Sequence, residues 1–136
     1  MARSEHLPIY KAAYDLCLHV ERVVQKFPRY HKYTLGTDLR ESARRVLGLV
    51  VRANARRDKA PALLEVREEV EALKAVLRLA HDVQAFSSLR SFEHAVVLAV
   101  DVARQNEGWL KSQQRRVGRD QSRRAMPNGP AAPGAS

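Results

Sequence analysis

The segment between Leu39 and Ala55 combines an apolar helical stripe with a line of arginines, and this pairing most constrains the fold. Its apolar residues recur every three or four positions, at Leu39, Ala43, Val46, Val50 and Ala53. This spacing is typical of one buried face of an α-helix. The segment is therefore predicted to be a helix that packs on a hydrophobic core.

Three arginines lie on one flank of that stripe. At 100° per residue, Arg45, Arg52 and Arg56 fall within about 40° of one another and span roughly 16 Å. A helix with one buried face and one line of cations can present positive charge to a polyanion. The alternative interpretation is a solvated helix that happens to be rich in arginine.

The charge of the whole chain favours an anionic partner. Its 136 residues, about one domain, carry 24 Lys and Arg against 15 Asp and Glu, a formal charge of +9. Such a balance is typical of proteins that bind nucleic acid or an anionic surface. Residues 40–59 and 104–124 each hold seven basic residues against two acidic ones. The predicted contact residues for nucleic acid or a polymerase are Arg40, Arg44, Arg45, Arg52, Arg56, Arg57, Lys59, Arg104, Lys111, Arg115 and Arg116.

Four amphipathic blocks of about 20 residues with short links predict an all-α fold, an up-down-up-down four-helix bundle. The blocks begin and end near residues 8–26, 34–57, 61–86 and 88–116. The bundle is expected to comprise residues 1–113. Residues 114–136 are rich in Pro, Gly, Ser and Arg, which predicts a basic, disordered tail.

The third block carries more apolar surface than one core requires. Beside the seam that starts at Val66 runs a second seam of Ala72, Val76, Leu79, Val83 and Phe86. Together the two seams cover about 200° of the helix, whereas a surface helix needs little more than 100°. A homo-oligomer that covers the second seam is expected. Gly48, in the middle of the second block, similarly suggests a close neighbour.

The usual catalytic and ligand-binding constellations are missing, so we expect neither an enzyme nor a bound metal or cofactor. Five scattered histidines and one cysteine have no zinc spacing, and no phosphate-binding glycine loop or nucleophile motif is present. The single Cys17 lies in an apolar register and is predicted to be a buried thiol, which suits the cytoplasm. Neither a signal peptide nor a membrane span is expected.

Two regions with aromatic residues allow two interpretations each. Tyr30, His31 and Tyr33 alternate with Arg29 and Lys32, a pattern that can stack nucleobases while cations hold phosphates. Alternatively, Tyr33 and its neighbour Leu35 pack over the end of the bundle. Trp109 near the basic end of the fourth block has a similar ambiguity, since it could cap the core or fill a subunit interface.

The second block also carries a family resemblance. The residues concerned run from Phe27-Pro28 through Tyr33, Leu35, Leu39-Arg40 and Ser42-Ala43 to Ala53-Asn54-Ala55. This run resembles the four-helix-bundle proteins encoded within 23S rRNA intervening sequences. It is closer to their relatives, the accessory variability determinants of diversity-generating retroelements. The basic second helix and the late run of residues 108–111, Gly-Trp-Leu-Lys, resemble that branch in particular, and the likeness covers roughly residues 7–113.

The resemblance implies a pentameric, barrel-like ring that partners a reverse transcriptase and binds RNA and DNA. Such a protein would support cDNA synthesis in mutagenic retrohoming, from a phage-borne element in the cytoplasm of a bacterial host. The ribosomal-insert branch commonly has an acidic-glycine ending where Arg56-Arg57 stand here. Two other classes stay open: a protein-interaction scaffold whose charge serves solubility or an acidic partner, and a bundle with a small ligand in its core.

Overall fold

The computed structural model describes residues 4–125, and every regular element within that range is helical. A short 3-10 turn at Ser4–His6 is followed by α1 (Pro8–Gln25), α2 (Arg29–Lys32), α3 (Leu35–Ala55), α4 (Ala60–Asp82) and α5 (Leu89–Ala125). Because α2 is a single turn, four long helices form the body. The predicted all-α class and helical bundle are confirmed.

Each long helix packs against two others. α3 lies against α1 and α4, and α5 also lies against α1 and α4. The links between them are short, as in antiparallel bundles. This arrangement places the α1–α3 and α4–α5 links at one end of the bundle and the α3–α4 link at the other.

The core follows the predicted apolar seams. On α3 and α4 the fully buried side chains include Leu39, Val46, Val50, Val66, Val70, Leu73 and Leu77. Burying a leucine or valine side chain of this kind stabilises a fold by about 1.5–3 kcal/mol. The second seam of the third block behaves differently, since Leu79 and Val83 remain exposed. The surplus apolar surface expected on α4 is therefore present in the single chain.

α4 ends at Asp82, earlier than the predicted end near Phe86. Gln84 adopts a left-handed backbone with φ 62°. The amide of Gln84 donates to the carbonyl of His81, and the amide of Ala85 donates to the carbonyl of Ala80. This pair of hydrogen bonds is typical of a helix C-terminus, where the left-handed position is usually occupied by glycine. The apolar periodicity through Phe86 therefore concealed a helix stop.

α5 continues beyond the predicted boundary of the bundle. The prediction placed a disordered tail from residue 114, whereas the helix runs to Ala125. Residues 112–125 consist mainly of Gln, Arg and Ser, and the first proline after them stands at 127. Gln and Arg are good helix formers, so an existing helix can propagate through them. Residues 126–136 of the predicted tail lie outside the described residues, and the division of the chain at 113 stays a prediction.

The two glycines of α3 have opposite surroundings. An added Cβ at Gly48 would meet nothing within 4 Å, so the suggested close neighbour is not supplied by this chain. An added Cβ at Gly36 would lie 2.6 Å from Cγ1 of Val24. The close approach that requires a glycine therefore occurs at the start of α3, against α1.

Candidate nucleic-acid interface

The first basic residues of α3 are tied to α1. Nε of Arg40 donates a hydrogen bond of 2.9 Å to Oε1 of Glu21, and Nη1 of Arg44 lies 3.8 Å from Oε2 of the same carboxylate. One glutamate thus partly neutralises two of the predicted contact residues. Their charge also holds α3 against α1, a structural role that competes with phosphate binding.

Arg45 is tied to α4 in a similar way. Its Nη2 lies 3.1 Å from Oε2 of Glu69, and the hydroxyl of Ser42 donates to the same oxygen over 2.6 Å. Burial by itself raises the pKa of Glu69, but the hydrogen bonds from Arg45 and Ser42 outweigh it and hold the pKa below its ordinary value. Glu69 therefore stays charged at neutral pH and keeps Arg45 engaged.

Arg52 lies in a groove of about 570 Å³ between α3 and α4. Arg45 and Gly48 line the same groove from α3, while α4 contributes carboxylates at residues 65, 68 and 69. Two residues of the predicted stripe, Arg45 and Arg52, thus lie beside an acidic helix face. Helical-wheel reasoning on α3 alone could not show this, because the carboxylates come from a different helix. A role of the stripe in binding stays a prediction.

Lys59 has a structural position at the end of α3. Its Nζ donates to the carbonyl oxygens of Ala53, Asn54 and Arg56, at 3.1, 3.2 and 2.7 Å. A cation is favourable there, because the last carbonyls of a helix carry partial negative charge. The ammonium also lies 5.9 Å from the centre of the Trp109 ring. Lys59 therefore links the end of α3 to α5.

Arg56 and Arg57 differ from the preceding cations. Both side chains are exposed, and neither forms an ion pair within residues 4–125. Arg57 lines a cleft of about 620 Å³ whose other wall is α5, from Gln113 to Gln121 and including Arg116. The two basic regions of the sequence therefore meet at this end of the bundle. The cleft also contains Asp58 and Asp120, so its lining is mixed in charge.

The basic residues of α5 fall into two groups. Arg104 forms a 2.6 Å ion pair with Asp101 on its own helix. Lys111 lies near Glu107, whose pKa is lowered first by its hydrogen bond from Arg67 and further by the charge of Lys111. In contrast, Arg115 and Arg116 are exposed and form no ion pair with another described residue.

The sequence interpretation missed two arginines. Arg119 and Arg123 lie with Arg116 on one face of α5, around a shallow depression that Ser112 and Asp120 also line. They are absent from the predicted contact residues because this part of the chain is predicted to be disordered. Their spacing of three and four residues was the available signal. We call the six residues Arg56, Arg57, Arg115, Arg116, Arg119 and Arg123 the basic end of the bundle.

The described part of the chain lacks two other features. Within residues 4–125, no group of three or more His, Cys, Asp and Glu side chains is placed to hold a metal ion. None of the described helices is both long enough and apolar enough to cross a membrane.

A family match follows the same part of the chain as the bundle. The model of a family described as bAvd-like matches residues 7–113, which covers the bundle and stops short of the α5 extension. No curated protein matches the chain.

Proposed function

Because the chain belongs to the bAvd-like family, we propose that it acts as an accessory variability determinant of a diversity-generating retroelement. In this role it has no catalytic activity of its own. It binds the element's reverse transcriptase together with template RNA or DNA, and it supports the synthesis of cDNA. Beyond the family match, the proposal draws on the distribution of charge over the bundle.

The proposed binding of nucleic acid rests mainly on the basic end of the bundle. Its six arginines come from the end of α3 and from the α5 extension, and they are exposed without ion pairs to other described residues. An arginine without a carboxylate partner can neutralise a phosphate and release a counterion. Arg40, Arg44, Arg45 and Arg104 would first have to leave their carboxylates. The basic end is therefore the better candidate for the contact.

We also propose that the protein assembles into a homo-oligomer, a pentameric ring by its family resemblance. The exposed apolar side chains of Leu79 on α4, of Val83 directly after it, and of Val97 and Val100 on α5 support this. A soluble single chain rarely leaves such a surface uncovered. Native mass spectrometry of the full chain tests the subunit number, and a monomer at micromolar concentration would contradict the proposal.

The affinity for a structured RNA and for a DNA duplex, measured at several salt concentrations, tests the nucleic-acid proposal. We expect log K to fall steeply and linearly with log salt, with little preference for sequence. Replacing Arg56, Arg57 and Arg116 with Ala should make the slope shallower by up to about 3, since each lost phosphate contact reduces it by about 1.

A matched control changes the same number of charges elsewhere. Lys11, Lys74 and Arg78 each pair with a carboxylate on their own helix. Their triple Ala variant should keep the wild-type slope. If both triple variants lose affinity equally, binding follows net charge alone and the basic end is not a site. If the wild-type protein binds neither probe at low salt, the nucleic-acid proposal is wrong.

One observation favours the alternative of a protein-interaction scaffold. Four of the eleven predicted contact residues, Arg40, Arg44, Arg45 and Arg104, are paired with carboxylates, which leaves less charge for a polyanion. A scaffold of this kind would capture the reverse transcriptase in a pull-down while it binds neither RNA nor DNA. Capture that persists after nuclease treatment, together with a flat salt titration, would support it.

A further inference from the structure

The link between α1 and α3 presents two tyrosine rings to solvent at the end of the bundle opposite to the basic end. Tyr30 is 84% exposed and Tyr33 is 70% exposed. The two residues stand three apart on α2 and its C-terminal end, so their side chains leave the same side of the turn. The interpretation that Tyr33 packs over the bundle end is therefore wrong, although Leu35 does pack against the core.

The chain around these tyrosines is free of acidic residues. Between Glu21 and Asp38 it contains no Asp or Glu, and it carries Arg22, Lys26, Arg29 and Lys32. None of these four cations forms an ion pair with another described residue. The nearest preceding carboxylate, Glu21, is already engaged by two arginines of α3. The link that carries the two exposed rings is therefore cationic along its whole length.

The backbone of the turn is held firmly. The carbonyl of Pro28 accepts hydrogen bonds of 2.9 Å from the amides of His31 and Lys32. The hydroxyl of Thr34 lies 3.3 Å from the carbonyl oxygens of both Tyr30 and His31. On either side of the turn, Phe27 is buried in the core and Gly36 is pressed against α1. The tyrosines thus project from a scaffold that needs little ordering when a ligand binds.

We propose that Arg29, Tyr30, Lys32 and Tyr33, which we call the tyrosine turn, bind single-stranded nucleic acid. Unpaired bases stack on the two rings while Arg29 and Lys32 neutralise the adjacent phosphates. A duplex does not offer free base faces, so the tyrosine turn selects unpaired segments. This inference rests on the proposed nucleic-acid function and assigns a second, different ligand surface to it.

The distance between the two surfaces suggests the form of the whole ligand. α3 has 21 residues and separates the tyrosine turn from Arg56 and Arg57 by roughly 30 Å at 1.5 Å per residue. One nucleic acid with a paired part on the basic end and an unpaired part on the tyrosine turn can reach both. A structured RNA with a single-stranded arm has this shape.

The test compares an unstructured oligo(dT) of about 20 nucleotides with a fully paired hairpin duplex. In the full-length protein, replacing both Tyr30 and Tyr33 with Leu should weaken oligo(dT) binding about tenfold or more, because each stacked base contributes substantially to affinity. Hairpin binding should change by less than about twofold. The double Phe variant keeps both rings and should bind oligo(dT) like the wild type.

Two controls keep the result interpretable. Tyr14→Leu changes an exposed tyrosine on α1, outside the acid-free link, and should leave both affinities unchanged. The single variant Tyr30→Leu should lose part of the affinity for oligo(dT). It replaces the double variant in the test if circular dichroism shows that the double variant folds poorly. Replacing Arg56, Arg57 and Arg116 with Ala should instead weaken binding of the hairpin more than binding of oligo(dT).

The outcomes separate this inference from the proposed function. If the wild type binds hairpin and oligo(dT) but the tyrosine variants bind oligo(dT) equally well, the tyrosine turn is not a stacking site, while the proposed function stands. The same conclusion follows if the variants lose only reverse-transcriptase binding, because the turn is then a protein contact. Binding of neither probe by the wild type overturns both proposals.

Discussion

Arg45 on α3 and Glu69 on α4 form an ion pair of 3.1 Å across the groove between the two helices. The hydroxyl of Ser42 shares the same carboxylate oxygen. A residue that the sequence placed among the contacts for an anionic partner is thus also part of the packing of the bundle. We therefore expect part of the charge on α3 to contribute to stability as well as to the proposed binding.

Replacing Glu69 with Gln should lower the free energy of unfolding at pH 7 by about 1 kcal/mol, since Arg45 is largely exposed. The folded state holds the pKa of Glu69 below its ordinary value of 4.5. The stabilisation is therefore fully present above about pH 4.5 and is lost as the pH falls through the lower folded-state pKa. Urea unfolding of both proteins at pH 7 and pH 3 measures this. As a control, Glu68→Gln removes a neighbouring charge that forms no ion pair with another described residue, and it should change the free energy of unfolding little at either pH. If Glu69→Gln destabilises the protein as much at pH 3 as at pH 7, the ionised Glu69 carboxylate is not the source of the stabilisation.

Gly36→Ala and Gly48→Ala should have opposite effects on stability. The new methyl at Gly36 would lie 2.6 Å from Cγ1 of the buried Val24, so we expect a loss of about 1–3 kcal/mol. The same change at Gly48 meets nothing within 4 Å and should stabilise α3 by about 1 kcal/mol through helix propensity. Thermal unfolding of the two variants provides the comparison. If Gly36→Ala and Gly48→Ala melt at the same temperature, the neighbours of Gly36 move aside for the new methyl group at little cost.

Gln84→Gly should stabilise the protein by about 0.5–1 kcal/mol. Gln84 ends α4 with φ 62°, a conformation that glycine adopts without the cost that a Cβ imposes. The gain is partly offset because glycine is more flexible in the unfolded chain. Gln84→Ala keeps a Cβ and should bring no such gain. Chemical denaturation of the wild type and the two variants measures the difference in the free energy of unfolding. An equal gain in stability for Ala and Gly would mean that the backbone at this position is not strained.

Lys59→Met should destabilise the bundle by about 1 kcal/mol, because it keeps the apolar part of the side chain and removes the donor to three carbonyl oxygens. The emission of Trp109 should also shift, since the ammonium lies 5.9 Å from its ring. Arg57→Met, which changes an exposed neighbour without an ion pair, serves as the control. Fluorescence-detected urea unfolding reports both effects, and equal midpoints for the two variants would argue against a capping role for Lys59.

Cys17 should react slowly with thiol reagents in the folded protein. Burial, aided by the nearby charge of Glu21, raises the pKa of its thiol from 9.0 to about 11. The Sγ atom also lies 3.1 Å from the carbonyl oxygen of Ala43. Since the thiolate is the reactive form, a shift of this size lowers reactivity about 100-fold near pH 8. The rate of disulfide-reagent labelling, with and without urea, measures the difference, and equal rates would show that the thiol is accessible and unshifted.

The helical class and most of the core could be read from the sequence. The seam that includes Val66, Val70 and Leu73 is fully buried as predicted, because a helix of fixed period turns spacing along the chain into position around its axis. The surplus of apolar residues on α4 was visible for the same reason. The ends of the helices were harder to predict, since the end of α4 depends on one left-handed residue, Gln84, within an apolar run.

The candidate site depended on the tertiary structure. The sequence placed both Arg45 and Arg57 among the predicted contact residues, but only packing brings Glu69 to the first and leaves the second exposed beside α5. Likewise, the exposure of Tyr33 could not be decided from its neighbours in the chain. Periodicity reports the geometry of one helix at a time. Ion pairs and clefts arise between helices, so they are determined by how the helices pack.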